Sequence, residues 1–174
     1  MFFFKIMGAL LMVGACSYTG YVFSQRFIDR YRQLTVLRMG LEILSSEISY
    51  MRTPLPTAFK KIALRLEEPA AGIFFTAGRK LETGEAHPRQ AWREALEETR
   101  EKTALTPEDL RVLGQLGVVL EGDGDSTGQV RQLKLLEGEV ERLVLEAERE
   151  KNKNVRVWRY LGLLGGLAFA ILFF

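Results

Sequence analysis

The chain has 174 residues, 24 of them Lys or Arg against 22 Asp or Glu, a formal net charge of +2, one cysteine and one histidine. This length suits a single domain with two membrane spans and no more. One cysteine excludes a disulfide within the chain, and one histidine beside it excludes a His/Cys metal cluster.

The small net charge hides a strong arrangement. Ile6–Phe23 carries no charged residue, and Tyr160–Phe174 is apolar to its last residue. A hydrocarbon core of about 30 Å needs around 20 apolar residues as helix, so both ends qualify as spans, the second one barely. Arg26, Arg30, Arg32 and Arg38 follow the first apolar run, and Lys151, Lys153, Arg156 and Arg159 precede the second. Only Lys5 lies outside. Lys and Arg near span ends set orientation, which predicts a cytoplasmic domain with two short ends across the membrane. The division expected is a transmembrane helix over 1–24, a cytoplasmic bundle over 25–156 and a second transmembrane helix over 157–174.

Two processing readings compete at the N-terminus. A cleaved signal peptide would need a basic start beyond Lys5 and an apolar run ending at a small-residue site. Val13-Gly14-Ala15-Cys16 resembles a bacterial lipoprotein box, which would make Cys16 a lipidated terminus. Tyr18, Tyr21, Val22 and Phe23 continue the apolar run beyond it, and a retained anchor fits the whole run better.

Between the ends, apolar residues recur at helical spacing and no strand pattern survives. Leu34, Leu37, Leu41, Leu44, Ile48 and Met51 stand three and four apart, on one helix face. Together with the first span they predict one helix from about Ile6 to Met51, ended at Thr53-Pro54 because the residue before proline is pushed out of helical geometry. Thr53 is expected to cap the next helix, with Pro54 at its first position. That helix carries Ala58, Phe59, Ile62, Ala63 and Leu66 and stops near Glu68-Pro69. A third, over roughly 70–81, turns Ile73, Phe74, Ala77 and Leu81 inward and ends at Thr83-Gly84. A fourth starts at Pro88 and buries Ala91, Trp92, Ala95 and Leu96. Thr106-Pro107-Glu108-Asp109 is a strong start for the fifth, a capping hydroxyl followed by proline and two acids at the positive end of the dipole. It carries Leu110, Leu113, Leu116, Gly117 and Leu120. Gly122–Gly128 reads as a loop. The last helix repeats the seam at Leu133, Leu136, Val140, Leu143 and Ala147 and runs without a breaker into the second span. The expectation is an all-α protein, a six-helix antiparallel bundle flanked by transmembrane helices.

Little here carries chemistry. Asp123, Asp125, Thr127 and Gly128 match the first half of a calcium loop, but Arg131 and Lys134 occupy its ninth and twelfth positions, where oxygen ligands belong. His87 precedes Pro88 at a helix start. Glu97, Glu98 and Glu101 share a helix with Arg93, Arg100 and Lys102, the pattern of a solvated face. There is no glycine-rich phosphate loop and no GxSxG. The sequence predicts a non-enzyme without cofactor, metal or small-molecule substrate. Lys and Arg beside a span hold anionic headgroups, and no basic patch pairs with exposed aromatics as nucleic acid requires. In the second span Gly162 and Gly166 form a GxxxG with Gly165 beside it, and Cys16 and Gly20 give the first span a comparable small face. Both are candidates for close helix packing, between the two spans or against a partner subunit.

Several segments together resemble the stage III sporulation protein AB family of endospore-forming bacteria, over essentially the whole chain. They are Thr19-Gly20-Tyr21 near the end of the first span, and Tyr50-Met51-Arg52-Thr53-Pro54-Leu55. Next come Ala91-Trp92 with Glu94 and Leu96, and Leu116-Gly117 before the acidic turn, with Gln129 after it. Leu161-Gly162-Leu163-Leu164-Gly165-Gly166-Leu167 closes the chain. The resemblance implies a component of the channel-like complex joining mother cell and forespore, lodged in the outer forespore membrane with its domain in the mother-cell cytoplasm. The family is in turn similar to the cytoplasmic domain of the inner-membrane platform proteins of type II secretion and type IV pilus systems, which meet a cytoplasmic ATPase. It implies no catalytic residues. On this reading Arg52, Lys60, Lys61, Arg79 and Lys80 are the candidate contacts to the ATPase, and the spans contact other subunits of the complex. Two rivals remain: a lipoprotein-anchored helical domain outside the cell, and a generic membrane-bound helical scaffold. The breaks at Pro54, Pro69, Pro88 and Pro107 count against the long heptads a scaffold would need.

Overall fold

The computed structural model describes residues 2–51, 53–122 and 126–173 and, within these, all side chains except those of 2–13, 16, 17, 126, 127, 159, 161–163 and 165–173. Among the described residues there are six α-helices and no strand: α1 (Phe2–Ser46), α2 (Leu55–Ala63), α3 (Ala70–Glu82), α4 (Pro88–Thr99), α5 (Pro107–Glu121) and α6 (Ser126–Phe173). They form two compact units, Met1–Tyr31 with Glu146–Phe174, and Arg32–Leu145. Among the described residues no helix is long and apolar enough to cross a membrane. The segments 1–24 and 157–174, expected as spans, lie mostly outside the side chains described.

In the 32–145 unit each central helix packs on the next in the chain, α2 on α3, α3 on α4 and α4 on α5. The apolar stripes of α1 and α6 complete the core, with Leu34, Leu37, Leu41 and Leu44 on one and Leu133, Leu136, Val140 and Leu143 on the other. Within this unit α1 and α6 run antiparallel. Arg38 Nη1 stands 3.3 Å from Glu141, while Ser45, farther along α1, bonds Glu137, earlier on α6. Burial pushes the Glu137 carboxyl above its ordinary value, against the pull of the Ser45 hydrogen bond.

The centre of the unit is aromatic. Phe59 of α2, Phe74 of α3 and Trp92 of α4 are fully buried, with ring centroids 5.1 to 5.7 Å apart in edge-to-face and tilted arrangements. Such geometry sets the positive ring edge toward a neighbouring negative face. The Trp92 indole N–H donates to the Leu113 carbonyl at 2.7 Å, which ties α4 to α5 and satisfies the one polar atom in the cluster. Bulk at the centre demands small neighbours. A Cβ on Gly40 would stand 2.7 Å from the Phe74 ring, and one on Gly117 would stand 3.0 Å from the Arg89 Cα and 3.1 Å from its carbonyl oxygen.

Helix ends follow local chemistry. Thr106 and Asp109 form a full capping box at the start of α5. Gly84, at φ 70°, lets the backbone turn back after α3 so that the Gly84 and Glu85 N–H groups reach the Leu81 and Lys80 carbonyls. An L side chain would strain that position. Gln33 accepts from the Ala104 N–H at 2.8 Å and steadies the α4–α5 connection, while Gln129 donates to the Val119 carbonyl near the end of α5.

The end of α1 differs from the sequence reading. After Ser46 the chain makes one π-helical turn, Glu47–Met51, which holds more residues than an α-turn and shifts the face that three-four spacing assigns. Glu47 takes the inward place, Ile48 is half-buried, and Met51 is 68% exposed. Nor does Thr53 cap α2: Pro54 occupies the cap position without a side-chain bond, and the helix begins at Leu55. The Thr53 hydroxyl donates instead to the Glu47 carboxylate at 2.6 Å, a charge-assisted bond that outcompetes a neutral cap. Lys61 of α2 reaches the same oxygen at 3.2 Å. The Thr53 bond foremost, then Lys61, holds the Glu47 carboxyl below its ordinary value. Other differences are smaller. α2 stops at Ala63 and leaves Leu66 in the connection, half-buried, while Leu81 and Leu110 sit half-buried at the rims. α6 begins at Ser126, inside the segment expected as loop. Asp123 to Asp125 of the calcium-like segment lie outside the described residues.

Two outcomes test this packing. Gly117→Val should destabilise the chain by about 1–3 kcal/mol through overpacking against α4, whereas Gly138→Ala on α6, where a Cβ meets nothing within 4 Å, should stabilise it by about 0.5–1 kcal/mol. Denaturant unfolding followed by circular dichroism measures both. Thr53→Val should destabilise at neutral pH. Because the folded Glu47 pKa lies below its unfolded value, its contribution is complete above the unfolded pKa and is lost as pH falls through the folded one. The gap between wild type and Thr53→Val should therefore hold above the ordinary carboxylate pKa and close as pH falls below it.

Candidate interaction surface

Four of the five cations expected to meet a partner fall among the described residues, and they do not form an open positive patch. Lys60 pairs with Glu82 at 2.5 Å, across α2 and α3. Lys61 is held by Glu47. Lys80 bridges Glu94 at 2.7 Å and Glu98 at 2.9 Å with its side chain only 13% exposed. The hydrogen bonds that Lys80 donates to Glu94 and then Glu98 raise its pKa, and the Lys80 bond lowers that of Glu94. This cation fastens α3 to α4. Arg79 is exposed and, among the described residues, free of any ion pair. Arg52 lies outside them. Half-exposed pairs such as Lys60–Glu82 add little stability, so Lys60 can exchange its acid for a partner's at small cost.

Beside these charges lies a feature that charge alone does not reveal. A groove of roughly 330 Å³ is lined by Lys60, Ala63, Leu64, Glu68, Ala71 and Phe75, drawn from α2, α3 and the turn between them. Leu64 is 88% exposed and Phe75 53%. Two large apolar side chains together at one rim, with cationic and anionic groups beside them, have the composition of a contact site. The sequence holds the signal. In Phe74-Phe75 only one ring can face the core at helical spacing, and Leu64 falls after the last buried position of α2, Ile62. The other Phe and the extra Leu must then face outward.

In the unit of residues 1–31 and 146–174, α1 and α6 again run antiparallel. The Phe23 and Trp158 rings stack with centroids 5.0 Å apart, Arg30 pairs with Glu150 at 2.5 Å, and Lys151 Nζ stands 3.7 Å from the Tyr31 ring centroid. Gly20 is buried, as a close helix approach requires. Gly162, Gly165 and Gly166 fall on α6 and Cys16 on α1; their surroundings lie outside the description. Tyr18, Tyr21, Phe23 and Tyr160 are exposed. His87 occupies the cap position of α4 without a side-chain cap bond. Among the described residues no group of three or more His, Cys, Asp or Glu is placed to hold a metal ion.

The likeness expected from the sequence is met by known proteins. A family model described as Stage III sporulation protein AB matches residues 5–174. Stage III sporulation protein AB of Bacillus subtilis (strain 168) is 32% identical over 168 residues, which span 97% of this chain and 98% of that protein. A solved structure of Stage III sporulation protein AB is 31% identical and superposes with a TM-score of 0.68, covering 72% of this chain and 98% of that one. A match along almost the whole length of both proteins, with the same helical fold, places this chain in the stage III sporulation protein AB family.

Proposed function

We propose that the protein is a non-enzymatic, platform-like membrane subunit of the complex between mother cell and forespore, needed for endospore formation, and that it links a cytoplasmic ATPase to membrane components. The observation that carries this reading is the groove between α2 and α3, where Leu64 and Phe75 lie open beside Lys60. Burying both would give an anchor of hot-spot type. Lys60 and the exposed Arg79 then suit a partner edge with acidic residues around an apolar contact. The family relationship supports the sporulation role. The two apolar ends, with Lys and Arg only on their inner flanks apart from Lys5, support anchoring in the outer forespore membrane with the domain in the mother-cell cytoplasm.

In a pulldown with the purified ATPase subunit of the complex, Leu64→Asp with Phe75→Asp should weaken capture roughly tenfold or more. Arg79→Glu should weaken it less, and helical content should stay that of the wild type. Equal capture by every variant would remove this face from the interface. Separately, a fluorescent protein inserted within 122–125 should glow, and alkaline phosphatase inserted there should be inactive. Active phosphatase would place the domain outside the cytoplasm and end the platform reading.

A further inference from the structure

A second concave site lies in the other unit, well away in sequence from the α2–α3 groove. It is a cleft of roughly 590 Å³ lined by Ile28 of α1 and by Lys151, Asn152, Val155, Arg156 and Tyr160 of α6. The five α6 positions recur at steps of one, three, one and four, which puts them along one helix face. We propose that this cleft binds the phosphate of an anionic phospholipid headgroup, an inference that rests on the membrane-anchored reading above.

Charge comes first. Two cations and no carboxylate line the cleft. Glu150, next to Lys151, is engaged by Arg30 at 2.5 Å, and Asp29, next to Ile28, is exposed and does not line it. The Tyr31 ring under Lys151 Nζ steadies the ammonium from one side without neutralising it, so its N–H donors remain for an anion. Arg156 is exposed and makes no ion pair among the described residues, and its planar fork matches two phosphate oxygens at once. Asn152 and the Tyr160 hydroxyl add donors for glycerol or ester oxygens. Ile28 and Val155 offer an apolar wall that a free inorganic ion cannot use and the start of an acyl chain can.

Position agrees with charge. Tyr160 is on the cleft wall, and the same unit holds the stacked Phe23 and Trp158. Rings of this kind gather at the headgroup level of a bilayer, and basic pockets beside spans on the cytoplasmic side are where acidic headgroups are held. The volume falls within the range of small-ligand sites.

The test uses the full chain in uncharged detergent micelles, titrated with short-chain phosphatidylglycerol, short-chain phosphatidylcholine and inorganic phosphate, with binding read by native mass spectrometry. Phosphatidylglycerol should bind saturably, and the other two at least about tenfold more weakly. Lys151→Gln and Arg156→Gln should each weaken phosphatidylglycerol about fivefold and the pair about 25-fold, while Lys151→Arg keeps binding and Lys134→Gln, in the other unit, changes nothing. Circular dichroism confirms that each variant is folded. Unchanged affinity in the folded double variant overturns the proposal, as does phosphatidylcholine binding equally well. Inorganic phosphate binding as tightly as the lipid overturns the lipid assignment. A chain shown by the reporter insertions to be anchored, yet indifferent to these substitutions, refutes the cleft and leaves the anchor standing.

Discussion

Three aromatic rings meet at the centre of the 32–145 unit, and their bulk sets the spacing of the helices around them. Phe59, Phe74 and Trp92 each come from a different helix and leave no solvent-accessible surface. Once they are packed, Gly40 has to be glycine where α1 meets the Phe74 ring, and Gly117 has to be glycine where α5 meets the first turn of α4. The Trp92 N–H adds direction to this packing, since a buried donor left without the Leu113 carbonyl would be costly. Apolar burial alone would tolerate several helix registers. The indole bond and the two close approaches select one.

Around that core, electrostatics are spent mostly inside the molecule. Lys61 and Thr53 hold Glu47 at the π-turn, Lys80 clasps Glu94 and Glu98, and Arg38 joins Glu141. Arg30, Arg32 and Arg38, read from the sequence as orienting charges beside the first apolar run, all have acidic partners. If the proposed partner docks at the α2–α3 groove, the contact there rests on Leu64 and Phe75 more than on charge. In the unit of residues 1–31 and 146–174, Lys151 and Arg156, which make no ion pair among the described residues, sit together at one cleft.

Helix identity was legible because it depends on periodicity and punctuation, and both are local. The seams of α1 and α6 and the capping box at Thr106 lie where spacing places them. What was not legible depends on contacts between distant residues. Nothing adjacent to Thr53 says that Glu47 will outbid the α2 N–H groups for its hydroxyl, because Lys61, which helps hold that carboxylate, arrives only when α2 folds back. The same limit hid the neutralisation of Lys60 and Lys80, whose acids stand 14 to 22 residues away. The groove was half-legible. Phe75 and Leu64 were present in the pattern as residues with no inward place, but their meeting at one rim needs the α2–α3 turn.

The neighbour-on-neighbour packing of α2 to α5 bears on how the chain is made. Contacts between consecutive helices close short loops and form early, so these four helices can assemble in the order in which they leave the ribosome. α1 is different. It is synthesised first, yet the Glu141 that pairs with its Arg38 lies 103 residues later. The side of α1 that meets α6 therefore stays open until α6 is made, although Gly40 and Gln33 can dock earlier on Phe74 and Ala104. A nascent chain held by an apolar N-terminus would present that open side beside the growing helices, so that arrival of α6 becomes the closing event of folding.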